Sequence, residues 1–416
     1  MMRGSWNVLK ILPYSDEPLG NPPVKEYEKM NKWKLGVYVH PDAVAASPDY
    51  ARRLVEEAGV DHFILRSGYD LSIPESLKTA LAVVRDVKAQ SCCLVGTWWF
   101  HPPEELNQPY RSYEGQFPMH MPGSDLDAGI ITKLERLCSE FKPDAVCLSH
   151  ARHRHPAHLE GIYNDGVNDP SYLARMNAAG IPHSMVLEMR SAVERAMGQT
   201  DKASLLRAAK GGLISFLCEL SQNDVPKRLF SFRRDTVFAS LRTFEKAVRS
   251  HGVSFGTNAF SPIAVDTCGQ DYDAFDGICD FVQPLLSYME YQRLQLIAAW
   301  GRYVGQSARL DDASAIEIAR YLFRLGGTVC PNSIEELDTC AEGDDATIRS
   351  IVRTELKLCS QLLPKSYSIL PVLRGKDWNR SVINELTAEA KRQFGAFVLM
   401  GCGYLVADMP TEEGWF

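Results

Sequence analysis

The 416-residue chain lacks the marks of several protein classes. No apolar run approaches the roughly 18 residues that a membrane-spanning helix needs. The opening "MMRGSWNVLKILPYSDE" has no apolar core of a signal peptide. There is no block of basic residues, and the formal net charge is -7, so nucleic acid is not an expected partner. The 11 cysteines form no C-x-x-C pair, and most sit in apolar runs such as "AVCLSH" and "LMGCGYL". Buried free thiols of a reducing compartment fit that pattern, so a soluble cytoplasmic chain is expected. No G-x-G-x-x-G or G-x-x-x-x-G-K-[ST] follows an apolar run, which speaks against a nucleotide-binding open sheet.

What is present is a rhythm. Residues 1–33, with "EPLGNPPVKEYEKMNK", have no period and read as an N-terminal arm. Residues 34–416 read as one domain. Short β-rich runs alternate with helical patterns: "LGVYV" before His40, "DHFILR" (61–66), "CCLVGTWWF" (92–100), "DAVCLSH" (144–150), "VSFGTNAF" (253–260), "CDFVQPLLSY" (279–288), "SYSILPVLRG" (366–375) and "GAFVLMGCGYL" (395–405). Ser47 and Pro48 open one helix, which Gly59 closes. Another helix is expected over Asp235–Ser250, and a third is expected to be capped by Asp377. Helical insertions fill about 160–225 and 290–363. Eight apolar strands alternating with helices predict an α/β fold, a (β/α)8 TIM barrel with helical insertions and an N-terminal extension.

Active sites of such barrels lie at the C-terminal ends of the strands. Those positions hold His40, Arg66, Trp98, His101, His150, Arg152, His153, His155, Asn258, Tyr288 and Arg374. Arginine forks grip carboxylate or phosphate, so an acidic chain with a basic rim points to an anionic ligand such as a sugar acid. The segment "SHARHRHPAH" (149–158) holds four of the chain's 10 histidines. It is read as a substrate grip. No H-E-x-x-H is present and no cofactor is expected, with a divalent metal ion as the alternative that the histidines leave open. Trp98 or Tyr288 is expected to stack on a sugar ring.

The stretch "FGTNAFSPIAVDTCGQDYDAFDGICDFVQPLLSYMEY" (255–291) resembles a group of glycoside-hydrolase-like TIM barrels. The resemblance rests on F-x-P (Phe260, Pro262), G-Q-D-Y (Gly269, Gln270, Asp271, Tyr272) and D-x-x-x-P (Asp280, Pro284), ending near Tyr288. "CLSHARHRHPAHLEGIY" and "FSFRRDTV" resemble the strand-four exit and a helix opening of the same group. It covers roughly residues 140–290 and implies a carbohydrate-directed barrel. The large retaining glycosidase clan on this fold places Asn-Glu after strand four and Glu at strand seven, where this chain has Ser149-His150 and Arg374. Cleavage of a glycosidic bond therefore needs other carboxylates. Asp271, Asp266, Glu290 and Asp235 are the candidates, with Asp271 as acid, Glu290 as nucleophile or base, and His150 beside them.

Three readings follow. The first is a glycoside hydrolase acting on an anionic or polyhydroxylated sugar. The second is a sugar-acid lyase or isomerase using His, Tyr or Arg at the same rim, with or without metal. The third is a sugar-binding barrel without turnover. The arm and the second insertion suit a homo-oligomer contact.

Overall fold

The computed structural model describes residues 33–68, 71–98, 120–154, 162–286, 290–339, 345–362, 367–375, 378–401 and 405. The expected arm, apart from Trp33, lies outside them. Nine strands form one parallel sheet: β1 (Leu35–Val39), β2 (His62–Arg66), β3 (Gln90–Gly96), β4 (Ala145–Ser149), β5 (Ser254–Ala259), β6 (Phe281–Pro284), β7 (Ser368–Ile369), β8 (Val372–Arg374) and β9 (Phe397–Met400). Their order is β7-β6-β5-β4-β3-β2-β1-β9-β8. The two ends of that order are one stretch of chain. β7 pairs with β6, β8 pairs with β9, and Leu285 bridges Val372. Pro371, which has no N–H to give a ladder, falls at the break between β7 and β8. The sheet is a closed (β/α)8 barrel of eight strand positions, the seventh split in two.

Register and alternation fix which side chains point inward. The Tyr38 hydroxyl reaches Asn258 Oδ1 at 2.9 Å and Gln283 Oε1 at 2.7 Å across the barrel. Tyr38 therefore faces the axis, and its neighbours in register, Ile64 and Met400, share that face. A phenol has one proton and here meets two amide oxygens, so one of the two amides turns its –NH2 to the hydroxyl. At the N-terminal end, inward glycines make room for rings. A Cβ on Gly36 would sit 2.0 Å from His62 Nε2, and one on Gly256 would sit 2.4 Å from the Phe281 ring. Trp33 stacks on His62 at 4.9 Å and meets Phe281 edge-on at 4.7 Å, which floors the barrel.

Alternate strands begin with an aspartate that holds the preceding strand. Asp61 accepts from the N–H groups of Lys34 (2.7 Å) and Leu35 (3.1 Å). Asp144 accepts from Ser91 N–H at 2.8 Å, and Asp280 from Phe255 N–H at 2.9 Å. Asp280 of the D-x-x-x-P pattern is thus a register pin at the end of the barrel opposite the active rim.

The helices are α1 (Pro41–Ala46), α2 (Pro48–Ala58), α3 (Ser76–Asp86), α4 (Leu126–Arg136), α5 (Pro170–Ala178), α6 (His183–Met197), α7 (Lys202–Ala209), α8 (Leu213–Ser221), α9 (Val225–Arg249), α10 (Glu290–Ala308), α11 (Asp312–Leu322), α12 (Ile334–Thr339), α13 (Asp345–Leu362) and α14 (Arg380–Phe394). Gly59 ends α2 in the left-handed conformation, as its sequence position predicts. Three expectations need correction. α9 begins at Val225, ten residues before Asp235, because Pro226 suits a first helical turn. "FSFRRDTV" is therefore mid-helix. The cap of α14 is Asn379, whose side chain accepts from Ser381 N–H at 3.1 Å, while Asp377 lies outside the described residues.

α5–α8 and α10–α12 build a second core beside the barrel, with Phe216, Tyr172 and Met189 against Trp300, Val304 and Phe323. α13 belongs to the barrel, since Val352, Leu356 and Cys359 join its core. No described helix is long and apolar enough to cross a membrane.

Gly36→Ala tests the floor. The His62 ring is fully buried and has no room to retreat, so the substitution should cost about 1–3 kcal/mol in urea unfolding.

Candidate active site at the barrel mouth

Following the inward parity to the C-terminal ends gives a ring of His40, Arg66, Ser149, Asn258, Leu285, Arg374 and Met400. Two positive charges and one imidazole face a common opening. Among the described strand positions, none that points inward carries a carboxylate.

His40 follows β1 and caps α1, its Nδ1 accepting from Asp42 N–H at 3.4 Å. Burial holds its pKa below the ordinary imidazole value. Asp42 pulls the other way, and the charge of Arg66 pushes it down again. The ring is therefore neutral at neutral pH, in the form that takes a proton.

The "SHARHRHPAH" segment divides. Ser149 Oγ lies 2.9 Å from His150 Nδ1. His150 has φ +59°, a left-handed conformation that non-glycine residues seldom adopt, and it turns the chain off the strand. The next three residues, Ala151, Arg152 and His153, are buried. Arg152 lies over the Phe260 ring at 5.0 Å and donates to the His153 carbonyl at 3.0 Å. His153 is fully buried, with Nδ1 3.0 Å from Asp165 Oδ2 and Nε2 3.4 Å from Thr236 Oγ1. Arg152 and His153 thus sit in the wall and present nothing to the mouth. His155 and His158 lie outside the described residues, as do His101 and Tyr288. Among the described residues no three His, Cys, Asp or Glu side chains converge as a metal site needs.

Burial alone would raise the Asp165 carboxyl. Its hydrogen bond and charge contact with His153, followed by Arg233 and Arg154, bring it net below its ordinary value. Burial pushes His153 down against the pull of Asp165, and Arg233 and Arg175 add to the fall. The pair is a neutral imidazole donating to an anionic carboxylate.

Trp98 corrects a second expectation. It is fully buried, donates to Asp127 Oδ1 at 2.7 Å and lies 6.2 Å from the Phe244 ring of α9. It packs between strand and helices, leaving no face for a sugar. The strand ends at Gly96, so parity no longer governs its direction.

The β5–β6 loop explains the G-Q-D-Y pattern. Gly269 is left-handed at φ +73°, and a Cβ there would press on the Arg233 backbone at 3.0 Å. Gln270 is buried and accepts from Phe260 N–H at 2.7 Å. It donates to the carbonyls of Ala151 and Asn258, each at 3.1 Å. The Tyr272 hydroxyl donates to the Phe260 carbonyl at 2.8 Å. Asp271 lies 3.7 Å from Arg234 of α9, and Asp266 lies 3.2 Å from Arg324 beyond α11. Asp235, exposed on α9, pairs with Arg234 at 3.1 Å. Burial raises the Asp271 pKa against the Asp273 N–H and Arg234, with Asp273 and Asp266 adding to the rise. The structure thus brings Asp266 and Asp271 into one loop, where each pairs toward α9 or the insertion. Glu290 begins α10, and its side chain is not described.

Three polar groups escaped the sequence reading. Tyr38 stands two residues before His40, so strand parity was available to find it. Glu355 is fully buried on α13 and accepts from the Ser261 hydroxyl. It interrupts the apolar stripe Ile348, Val352, Leu356, Cys359, which is the signal it left in the sequence. Asp165 sits in "GIYNDGVNDP", where nothing periodic marks it.

The sequence matches no family model and no curated protein. Among solved structures, a chitinase from Chromobacterium violaceum overlaps at 9% identity and TM-score 0.37, covering 82% of this chain and 68% of that one. A GH18 chitinase from Pseudoalteromonas aurantia overlaps at 8% identity and TM-score 0.35, covering 88% and 93%. GH26A from a Muricauda species overlaps at 10% identity and TM-score 0.32, covering 92% and 88%. Overlaps this partial carry no activity across, and the barrel stands on its own strand order.

The buried imidazoles His62 and His153 both titrate below the ordinary value of 6.5. The unfolded chain takes up these protons near that value while the folded chain does not. Stability is therefore full above about pH 6.5 and falls as pH drops below it, until the folded groups also protonate. Urea unfolding from pH 8 to 5 should show this slope, and His153→Gln should flatten it.

Proposed function

We propose that the chain is a carbohydrate-active enzyme, a glycoside hydrolase in the first instance, whose barrel mouth takes an anionic or polyhydroxylated sugar. The observation that carries this reading is the inward convergence of Arg66 and Arg374 beside His40 at the C-terminal ends of the strands. Guanidinium forks suit a carboxylate, and Asn258, on the same face, suits hydroxyl groups. For hydrolysis, Asp271 is the acid that supports this reading. Burial shifts its pKa upward, the direction that favours a general acid. Asp266 and Glu290 are the carboxylates that this reading pairs with it.

One observation favours a second reading. The inward ring itself, among the described residues, holds a neutral imidazole and no carboxylate. A sugar-acid lyase or isomerase needs such a base beside a cation that steadies an enolate, and His40 beside Arg66 supplies both. A divalent metal ion serves this reading as a second source of positive charge.

Binding and turnover separate the readings. Arg66→Met or Arg374→Met should weaken a uronate ligand by roughly tenfold or more in calorimetry, with little change for a neutral glycoside. Equal losses for both ligands would remove the anionic grip. In deuterated water, a lyase or isomerase places deuterium on carbon and dies with His40→Gln. A hydrolase places none and dies with Asp271→Asn.

A further inference from the structure

The described residues enclose a second space of about 500 Å³ away from the barrel axis, where the insertion, α9 and the β5–β6 loop meet. That volume is in the range of small-molecule sites. Ile214 of α8, Ile263 after β5 and Leu322 of α11 form its apolar walls. Four cations border it: Lys227, Arg228, Arg234 and Arg324.

Two of these are matched by carboxylates. Arg324 meets Asp266 at 3.2 Å, and Arg234 meets Asp235 at 3.1 Å and Asp271 at 3.7 Å. The other two are not matched among the described residues. Arg228 donates to the Gly180 carbonyl, which carries no full charge, and Lys227 has no ion pair. The remaining acid on the lining, Asp224, is exposed at the start of α9 and makes no side-chain cap hydrogen bond. The walls are thus apolar, and two of the bordering cations have no carboxylate partner among the described residues. Arg324 also holds φ +58°, an unfavourable conformation for a side-chain-bearing residue, while fixing the wall to the Pro262 carbonyl at 3.1 Å.

We propose that this cavity is a second ligand site, apart from the inward ring of His40, Arg66 and Arg374 and bordering Asp266 of the β5–β6 loop, for a small molecule with a carboxylate head and an apolar body. The head pairs with Lys227 and Arg228. The body lies against Ile214, Ile263 and Leu322. Neither part suffices alone: a bare anion leaves the walls unfilled, and a neutral apolar molecule leaves the two cations unpaired.

The probe is 4-phenylbutyrate, titrated calorimetrically into the full chain beside acetate and 4-phenylbutanol. The acid should bind and raise the melting temperature, with both comparators at least about tenfold weaker. Lys227→Met with Arg228→Met should weaken the acid by about tenfold and leave the alcohol unchanged. Arg66→Met, at the mouth, should leave the acid unaffected. If the double variant fails to fold, Lys227→Glu, on an exposed side chain, carries the same test. The proposal falls if the acid does not bind, if the alcohol binds as well as the acid, if the cavity variants bind like the parent chain, or if Arg66→Met alone abolishes binding.

Discussion

The side-chain amide of Gln270 holds the active rim together. It is buried, and its three hydrogen bonds run to the backbone of Ala151, Asn258 and Phe260. Those atoms lie just past β4 (Ala151), at the end of β5 (Asn258) and just past it (Phe260), where the ladder gives out. A backbone group buried without a partner costs about 1–3 kcal/mol, so the loop that carries Gln270 is fixed by what it satisfies. Gly269 permits the turn, and Tyr272 adds a bond to the Phe260 carbonyl. His153 N–H donates to the Cys268 carbonyl at 2.8 Å, so the two exits and the loop move as one unit.

This changes the meaning of the pattern that pointed to carbohydrate chemistry. Gly269, Gln270, Tyr272 and Asp280 serve the shape of the barrel. Asp271 is the member left with a side chain at the surface of the loop. A motif can thus mark a fold through its joints, while the inward-facing rim positions of β1, β2 and β8 lie outside it.

The barrel was legible because parallel strands buried on both faces leave continuous apolar runs, and seven of the eight runs end within a few residues of the observed strands. The split seventh strand was hidden because Pro371 interrupts the ladder inside the apolar stretch 369–373. Rim residues were readable wherever alternation still governed, as at His40, Arg66, Asn258 and Arg374. They were misread where the chain turns away from the strand direction. Trp98 follows the last ladder position of β3, and His150 takes a left-handed turn that sends Arg152 and His153 into the wall. Long-range partners such as Asp165 and Glu355 leave no periodic trace, because their reason for being buried lies in another segment.

Trp33, seated on His62 and Phe281, closes the N-terminal end, so that among the described residues the barrel is a well open at its lip. Whatever binds between Arg66 and Arg374 arrives and departs by the same path. A ligand held there bars the next one until it leaves. Traffic through the well is then set by how fast the loops around its lip let go, and not by any passage through the floor.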